Sequence, residues 1–230
     1  MLYTQENVRA NIRNRDGKRV FYLDQGDTLT PSAKDYLRAE GIAILPAQQA
    51  KPAEYITENG SVFREKPEHY THLRSNILVP KTHPVIVFRG AMDTLEAQLL
   101  LAQAASPKAV QAKIGQILCL ARNILRWEVL QEPVRMDSLL GLTPEELRAH
   151  SHYPQKYYGI PHFMPECSDG ESILQLNLAR CAARNAELAA AHAFGTERAD
   201  LLQVLNRMSS AIYILMIQQK AALSPLPGSS

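Results

Sequence analysis

The sequence predicts a mainly α-helical protein with a small α/β module at its N-terminus. From Asp93 onward, apolar residues recur with helical spacing in five segments that are joined by short connections. Before residue 60, short runs of β-branched and aromatic residues alternate with turn residues instead. Long amphipathic helices with short connections are typical of antiparallel bundles, so we predict a bundle of the five-helix type.

The N-terminal module is predicted to fold as strand–helix–strand. Residues 20–23 and 42–45 have the β-branched and aromatic composition of strands. Between them, Thr30 suits the N-cap of a helix, Pro31 its first position and Gly41 its end. The predicted domains are the module at 1–60, a linker at 61–80, the bundle at 81–224 and a disordered tail at 225–230.

The five helical segments carry start and stop signals. Thr143 and Glu146 have the spacing of a capping box, which predicts the start of a short third helix. Pro133 is expected to end the second helix. The first helix is expected to begin at Asp93, and the third is a short helix after Thr143. The second, fourth and fifth helices are expected to cover 108–131, 172–194 and 197–222.

The composition excludes several classes of protein. The formal net charge is +2 and the pI about 8.4, and no dense basic run occurs, so we exclude a nucleic-acid partner. The three cysteines are far apart and odd in number, which predicts no disulfide framework and indicates a reducing compartment. No signal-peptide pattern and no window of roughly 20 apolar residues occurs. We therefore expect a cytoplasmic protein without a membrane partner.

Two arginines in an apolar stretch are the first candidates for a binding site. Arg180 and Arg184 are spaced i, i+4 and share a helix face, and Glu187 follows on the same side. A second polar cluster, Asn206 with Arg207, lies on the next helix. Paired guanidinium groups match phosphate geometry, which favours a triphosphate ligand. A solvated helix face explains the same spacing, so both interpretations stay open.

Residues 151–165 are the most irregular segment. They contain three prolines and four aromatic side chains, a composition that predicts a loop rather than a regular helix. Ordered loops of this kind cover a flat or hydrophobic ligand, or they close the end of a bundle. The residues alone do not separate these alternatives.

Several segments together resemble the PduO-type ATP:cob(I)alamin adenosyltransferases. Residues 90–96, Gly-Ala-Met-Asp-Thr-Leu-Glu, resemble that family's Gly-x-x-Asp-Glu-Leu-Asn helix start. Residues 163–165, Phe-Met-Pro, resemble its Phe-x-x-Pro loop, and residues 180–187 its Arg-x-x-x-Arg-Arg-x-Glu helix. Residues 205–209, Leu-Asn-Arg-Met-Ser, are similar to its Leu-Asn-Arg-Leu-Ser motif. The order and spacing of these matches are specific.

The ethanolamine-utilisation (EutT-type) branch of corrinoid adenosyltransferases is the more similar one. Its features are matched by residues 29–35, Leu-Thr-Pro-Ser-Ala-Lys-Asp, and by residues 71–73, Thr-His-Leu. They are matched again by residues 141–152, which begin Gly-Leu-Thr-Pro-Glu-Glu-Leu-Arg, and by residues 162–168, His-Phe-Met-Pro-Glu-Cys-Ser. The resemblance therefore covers nearly the whole chain.

The resemblance implies an enzyme that transfers the 5′-deoxyadenosyl group of ATP to the cobalt of reduced cobalamin. The implied partners are ATP with Mg²⁺, cob(II)/cob(I)alamin and a reductase, with ethanolamine ammonia-lyase as consumer of the product. The implied assembly is a homotrimer or another homo-oligomer that holds its substrates near subunit interfaces. The implied location is the cytoplasm, or a bacterial microcompartment within it.

The resemblance also implies the residues of an ATP site. Arg180 and Arg184 match the two helix arginines, and Glu187 and Asn206 match nucleotide-holding residues, with Arg184 and Glu187 acting in catalysis. Asp93 is implied as the partner of Arg180 across an interface, and this pair is equally explained as a structural bridge. Asn206 is also explained as ordinary helix surface.

Two departures from the family pattern concern the triphosphate. The glycine-rich phosphate loop of relatives is missing before the bundle, and Lys81 and Thr82 stand in its place as candidate ATP-binding residues. Asn185 stands where the family has another arginine. Both changes lower the phosphate-binding charge.

The aromatic loop is the implied corrinoid site. Its candidates are Tyr157, His162, Phe163 and Met164, with Phe163 placed in the catalytic set because relatives use a phenylalanine against the lower face of cobalt. His162 occupies the family position of that phenylalanine, so either His162 or Phe163 would face the corrinoid. Core packing is the alternative role for Phe163.

No transition-metal site is predicted. Some members of the ethanolamine branch carry a His and Cys cluster before the bundle, and this chain has only His69, His72 and His83 near that place. Two other functions stay open. One is a non-catalytic corrinoid-binding or scaffold bundle, and the other is a different nucleotide-using transferase.

Overall fold

The computed structural model describes residues 2–15, 17–46 and 54–223. The chain divides into two compact units, Met1–Lys66 and Pro67–Ser230. The boundary between them falls within the range 61–80 that we interpreted as a linker. The predicted tail at 225–230 lies outside the described residues.

The N-terminal unit contains the predicted strand–helix–strand arrangement. Strand β3 (Lys18–Leu23) pairs in parallel with β5 (Ala43–Pro46), with Phe21 opposite Ile44, and helix α2 (Pro31–Ala39) connects the two strands. Thr30 caps α2 by accepting a hydrogen bond from the N–H of Ala33 at 3.3 Å, and Pro31 follows. The elements are β1 (Leu2–Tyr3), α1 (Gln5–Ala10), β2 (Arg13–Arg15), β3 (Lys18–Leu23), β4 (Thr28–Leu29), α2 (Pro31–Ala39), β5 (Ala43–Pro46), β6 (Tyr55–Thr57) and β7 (Val62–Phe63).

A small apolar core holds this unit together. Gly41 follows α2 with a φ of +62°, a left-handed conformation that glycine adopts without strain, and it turns the chain toward β5. α2 thereby packs its apolar side against the strands. The buried residues of this core are Val8, Phe21, Leu29, Ala33, Leu37 and Ile42.

The C-terminal unit is mainly α-helical, as predicted. A β-hairpin precedes the helices, and its strands lie in the range 61–80. None of the described helices is long and apolar enough to cross a bilayer. The elements are β8 (Tyr70–Arg74), β9 (Ile77–Pro80), α3 (Pro84–Ala104), α4 (Lys108–Leu130), α5 (Pro144–His152), α6 (Pro154–Tyr158), a 3₁₀ turn (Cys167–Asp169), α7 (Glu171–Phe194) and α8 (Ala199–Leu223).

Helix α7 lies between α3 and α8 in the core of this unit. Its buried face is rich in alanine, and short side chains let neighbouring helices approach closely. α3, α4, α5 and α8 contribute larger apolar side chains, among them Phe88, Ile117, Leu147 and Met208. The buried residues of α7 are Ile173, Leu176, Ala179, Ala182, Ala183, Ala186 and Ala190.

A buried ion pair fixes the hairpin β8–β9 on the helices. Arg89 Nε on α3 donates to Oε2 of Glu128 on α4 at 2.8 Å. The same guanidinium donates to the carbonyl oxygen of Leu73 at 3.1 Å. Because Glu128 is only 2% exposed, removal of Arg89 would leave a buried carboxylate without its ion-pair partner.

Two helix boundaries differ from the prediction. The first helix of the bundle begins at Pro84 and not at Asp93, because His83 caps it by accepting from the N–H of Val85 and Pro84 suits its first turn. Asp93 consequently lies in the middle of α3. Within 151–165, α6 is a short helix and not a loop, because Pro154 stands at its start, where a missing N–H costs nothing.

Candidate functional site

Helices α7 and α8 are antiparallel neighbours, and polar side chains of one helix contact polar side chains of the other. Ser172 Oγ donates to Oε1 of Gln219 at 2.8 Å near one end of the pair. Asn206 Nδ2 donates to Oε1 of Glu187 at 2.9 Å nearer the other. Arg180 lies between them, with its guanidinium 6.0 Å from the ring centre of Tyr213. The polar face of this pair of helices consists of Arg180 and Glu187 on α7 and of Asn206 and Tyr213 on α8, because residues seven positions apart share a helix face.

A polar hollow of about 210 Å³ lies on this face. α5, the loop after α6, α7 and α8 each contribute to its wall. Its cations are the guanidinium groups of Arg180 and Arg184, and its other polar groups are hydroxyls and imidazoles. The lining residues are Ser151, His152, His162, Arg180, Arg184, Ser209, Ser210 and Tyr213.

A more apolar hollow of about 360 Å³ adjoins the polar one. The two share His162, Arg180 and Tyr213, which stand between them. One side chain at its rim, Met164, is 86% exposed. The lining residues are His162, Phe163, Met164, Pro165, Arg180, Tyr213 and Met216.

His162 is held at the border of the hollows by two hydrogen bonds. Its Nε2 lies 3.1 Å from the carbonyl oxygen of His152, and its Nδ1 lies 3.0 Å from the hydroxyl of Tyr213. A carbonyl only accepts, so Nε2 carries a proton, and Nδ1 of a neutral ring accepts from the tyrosine. The two rings are stacked with centres 5.8 Å apart.

Phe163 is packed on both sides. Its ring lies 6.2 Å from that of Tyr213, and Nζ of Lys220 lies 5.5 Å from its centre. Lys220 also pairs with the buried carboxylate of Asp169, which holds the ammonium group in place. Phe163 contacts the main core, and it also lines the apolar hollow.

The two arginines of α7 differ in their surroundings. Arg180 is half-buried, and its Nε and Nη2 donate to Oδ1 of Asn177 at 3.2 and 2.9 Å. Arg184 is exposed and has no hydrogen-bond or ion-pair partner among the described residues. Arg180 is therefore positioned in advance, while the fork of Arg184 is available to a ligand.

Asn206 organises the α8 side of the polar face. It donates to Glu187, and its backbone carbonyl accepts hydrogen bonds from the hydroxyls of Ser209 at 2.8 Å and Ser210 at 3.3 Å. The Glu187 carboxylate is thereby held on the polar face. The Asn206 side chain thus links α8 to α7.

Arg207 lies in a crowded electrostatic environment. Burial lowers the pKa of its guanidinium, and the positive charge of Arg148 on α5 lowers it further. The carboxylates of Glu145 and Glu187 act in the opposite direction. The polar face thus continues beyond Asn206 as a cluster of charged groups from three helices.

A profile of the cobalamin adenosyltransferase family matches residues 61–219. The chain belongs to the cobalamin adenosyltransferase family. The match includes every residue that lines the two hollows. The predicted membership in this family of enzymes is therefore confirmed.

Individual relatives of this family member agree with that assignment. The chain is 31% identical to the corrinoid adenosyltransferase EutT of Salmonella typhimurium over 242 aligned positions, which cover 93% of this chain and 90% of the relative. It is 30% identical to the corrinoid adenosyltransferase EutT of Escherichia coli K12 over the same shares. The similarity thus extends through the N-terminal unit.

Most of the predicted site residues of the adenosyltransferase come together. The two hollows bring together five of them, Arg180, Arg184, His162, Phe163 and Met164. Glu187 and Asn206 continue the polar face by their mutual hydrogen bond. Tyr157 lines neither hollow and stacks on His150 instead, with ring centres 3.8 Å apart.

Lys81 and Thr82 lie away from this group within one chain. They precede the start of α3, where Phe88 contacts Phe194 at the end of α7 with ring centres 5.4 Å apart. At 1.5 Å per residue, Phe194 is about 15 Å along α7 from Arg184. Nζ of Lys81 is paired with Glu68 at 2.9 Å.

Within one chain, Asp93 and Arg180 also lie at different heights along the packed helices. Phe88 lies beside Phe194, and the hydroxyls of Ser106 and Ser172 are 2.7 Å apart. Interpolation along α3 and α7 between these two contacts places Asp93 beside Glu187. Glu187 is about 10 Å along α7 from Arg180. Asp93 is exposed on the outer face of α3.

Sequence reasoning missed several residues that line the hollows. Tyr213 and Met216 follow Asn206 and Ser209 at helical spacing on α8, so extending the face of Asn206 would have found them. Ser151 and His152 of α5 have no such signal, because only the packing of α5 on α8 brings them to the hollow.

The described residues contain no group of three or more His, Cys, Asp or Glu side chains that could hold a metal ion. His72 Nδ1 lies 3.0 Å from the backbone carbonyl of Ser75 on the hairpin β8–β9. The cysteines Cys119, Cys167 and Cys181 are free thiols on the surface.

Proposed function

We propose that this family member transfers the 5′-deoxyadenosyl group of ATP to the cobalt of reduced cobalamin. The observation that supports this most is the adjacency of the two hollows. One has the guanidinium and hydroxyl groups that suit a triphosphate, and the other has the apolar lining that suits a corrin ring. Arg180, His162 and Tyr213 at their border lie where the transferred group would pass.

The proposed reaction is a nucleophilic displacement at carbon. Cob(I)alamin attacks C5′ of ATP with an electron pair on cobalt, the Co–C5′ bond forms, and the C5′–O5′ bond breaks. The electron pair of the broken bond leaves with the triphosphate, so charge grows on the leaving group. The side chains therefore contribute orientation and stabilisation of that charge, while cobalt supplies the nucleophile.

Arg184 and Arg180 are proposed to hold the triphosphate. Arg184 has a free fork, and Arg180 is fixed by Asn177 toward the hollow. Glu187, held by Asn206, would accept from nucleotide hydroxyls or orient Arg184. Mg²⁺ would arrive as part of the nucleotide substrate, because the phosphate oxygens supply ligands of the kind that it prefers.

Phe163, His162 and Met164 are proposed to contact the corrinoid. The apolar hollow of about 360 Å³ is at the lower end of the roughly 300–1,000 Å³ typical of sites for drug-sized ligands. A cobalamin is larger than such ligands, so this hollow would cover one part of the ring. Because both nitrogens of His162 are engaged, Phe163 is the better candidate to exclude a lower axial ligand. Tyr157 would join only after movement of α6.

The complete site is proposed to form between copies of the chain. The helices would make an antiparallel five-helix bundle, and a homotrimer or another homo-oligomer would bring Lys81, Thr82 and Asp93 of one copy to the arginines of another. The exposed leucines Leu178 and Leu188 on α7, 48% and 68% accessible, support burial of this surface in an assembly.

The proposed cellular role follows from the relatives named EutT. The product would serve ethanolamine ammonia-lyase in ethanolamine utilisation, and a reductase would deliver the electron that makes cob(I)alamin. The proposed location is the cytoplasm, including a bacterial microcompartment. The N-terminal module, residues 1–60, is the candidate segment for such targeting.

One assay tests the transferase function. The protein is mixed with ATP, Mg²⁺, cobalamin and a strong reductant, and the light-sensitive Co–C product is followed by its visible spectrum. Formation of adenosylcobalamin that is lost on Arg184→Ala is the expected result. Corrinoid binding without product would favour a scaffold, and product from ATP without use of cobalamin would favour another nucleotide-using transferase.

A further inference from the structure

A third helix with an arginine borders the polar hollow. α5 contributes Ser151 and His152 to the wall, and Arg148 lies one turn earlier on the same side. The backbone carbonyl of Arg148 accepts from Oγ of Ser151 at 3.1 Å and lies 2.9 Å from Nδ1 of His152. The Arg148 side chain is exposed, and it has no hydrogen-bond or ion-pair partner in the part of the chain that the structure describes.

Arg207 on α8 stands near Arg148. It lies one turn before Ser210, which lines the hollow, and it is half-buried. Burial lowers the pKa of the Arg207 guanidinium most, the charge of Arg148 acts in the same direction, and the carboxylates of Glu145 and Glu187 oppose it. Two cations on neighbouring helices repel each other, and an anion between them removes that cost.

The charges around the hollow do not balance. Arg180 and Arg184 line it, and Arg148 and Arg207 each lie one turn from a residue that lines it. The carboxylates of Glu145 and Glu187 act on Arg207 and offset part of this positive charge. None of the four arginines takes part in an ion pair within 4 Å among the described residues. The excess matches a ligand that carries several negative charges close together. A linear chain of three phosphates is such a ligand.

We propose that Arg148 and Arg207 form a second pair of guanidinium groups that binds the triphosphate from the α5 side of the hollow, across from Arg180 and Arg184. The identity of the nucleotide rests on the proposed transferase function, whereas the polyphosphate site rests on the charges and on the hollow. Arg148 is a binding residue in this arrangement, and Arg207 acts with it from a half-buried position.

Binding of inorganic tripolyphosphate tests the proposal without the transferase reaction. Calorimetry on the full chain is expected to show that Arg148→Ala weakens tripolyphosphate binding by about tenfold, the loss of one charge-assisted contact. The affinity of Arg148→Lys for tripolyphosphate should lie between those of the wild type and Arg148→Ala, because lysine keeps the positive charge but lacks the forked guanidinium group. Arg126→Ala is the matched control, since Arg126 is exposed on α4, lines neither hollow and carries the same charge.

The outcomes separate this proposal from the transferase function. Tripolyphosphate binding by Arg148→Ala that equals the wild type, or no binding by the wild type at millimolar concentration, overturns the second arginine pair. Arg148-dependent binding by a wild type that makes no adenosylcobalamin supports the pair and overturns the transferase. Because Arg148 is exposed, thermal unfolding of the variant is expected to match the wild type, and the Arg126 variant checks any general effect of charge.

Discussion

His162 and Tyr213 are joined by both a hydrogen bond and a stacked contact. The hydroxyl oxygen lies 3.0 Å from Nδ1, and the two rings are inclined by only 6°. One residue belongs to the loop after α6 and the other to the middle of α8, so the pair ties the loop to the helix. Both rings line both hollows. This contact therefore sets the border between the proposed triphosphate and corrinoid sites.

Removal of the Tyr213 hydroxyl is expected to loosen the loop. Tyr213→Phe keeps the stacked ring and loses the hydrogen bond to His162, which costs about 1 kcal/mol of net interaction. Because Phe163 follows His162 directly, we expect KM for cobalamin to rise about three- to tenfold with little change in KM for ATP. Steady-state kinetics with each substrate varied in turn measures both values.

Tyr158→Phe is the matched control for that variant. The Tyr158 hydroxyl lies 2.8 Å from Nδ1 of His150 and is also hydrogen-bonded to the side chain of Gln218, and neither Tyr158 nor His150 lines a hollow. An equal rise of KM for cobalamin in both variants would mean that a general loosening of the region, and not the His162 contact, is responsible.

Loss of the free guanidinium of α7 is expected to abolish most activity. Arg184→Ala should lower kcat about 100-fold, the scale for removing one charge-stabilising donor from a reaction centre. Arg184 is exposed and has no partner in the described chain, so Tm should change by no more than about 2 °C. Kinetics and thermal unfolding are measured on the same preparation, with Arg126→Ala alongside. Normal turnover in Arg184→Ala would place the triphosphate elsewhere.

Glu187 and Asn206 are expected to be coupled in stability. The hydrogen bond between them involves a carboxylate and joins α7 to α8, so removing both side chains should cost less than the sum of the single losses. We expect a coupling of about 1.5 kcal/mol between Glu187→Ala and Asn206→Ala in denaturant unfolding. Additive effects would show that the contact contributes nothing in solution.

Features set by neighbouring residues were predicted well from the sequence. Thr143 and Glu146 form the expected capping box, with hydrogen bonds of 2.8 and 3.3 Å. The shared face of Arg180 and Arg184 follows from the helical repeat alone. In each case the interaction spans no more than one turn, so the local sequence determines it.

Features set by tertiary packing were missed. Residues 84–92 begin with a β-branched apolar run that does not signal a helix, yet they form the first half of α3, because Val85 and Phe88 become buried against other elements. Tyr213 meets Arg180 only through the antiparallel pairing of α7 and α8. Such contacts depend on the position of one helix along the axis of its neighbour. The spacing of residues within a single helix does not determine that position.

The lowered pKa of the Asp169 carboxyl group predicts that the folded protein loses stability in acid. The hydrogen bond from Lys220 lowers its pKa most, and the N–H of Glu166 adds to this at 2.9 Å, while burial acts in the opposite direction. A carboxyl whose pKa is lower in the folded than in the unfolded chain stabilises the fold above its unfolded pKa of about 3.9. That stabilisation disappears as the pH falls through the lower, folded value.

Asp169→Asn should therefore lower Tm at pH 7 by about 2–4 °C, the effect of roughly 1 kcal/mol in a chain of this size. The difference from the wild type should shrink below about pH 4, because protonation then removes the same charge from the wild type. Thermal unfolding between pH 7 and pH 3 measures this, with Asp137→Asn as control for an exposed carboxylate. A difference that stays constant across this range would mean that the Asp169 charge does not stabilise the fold.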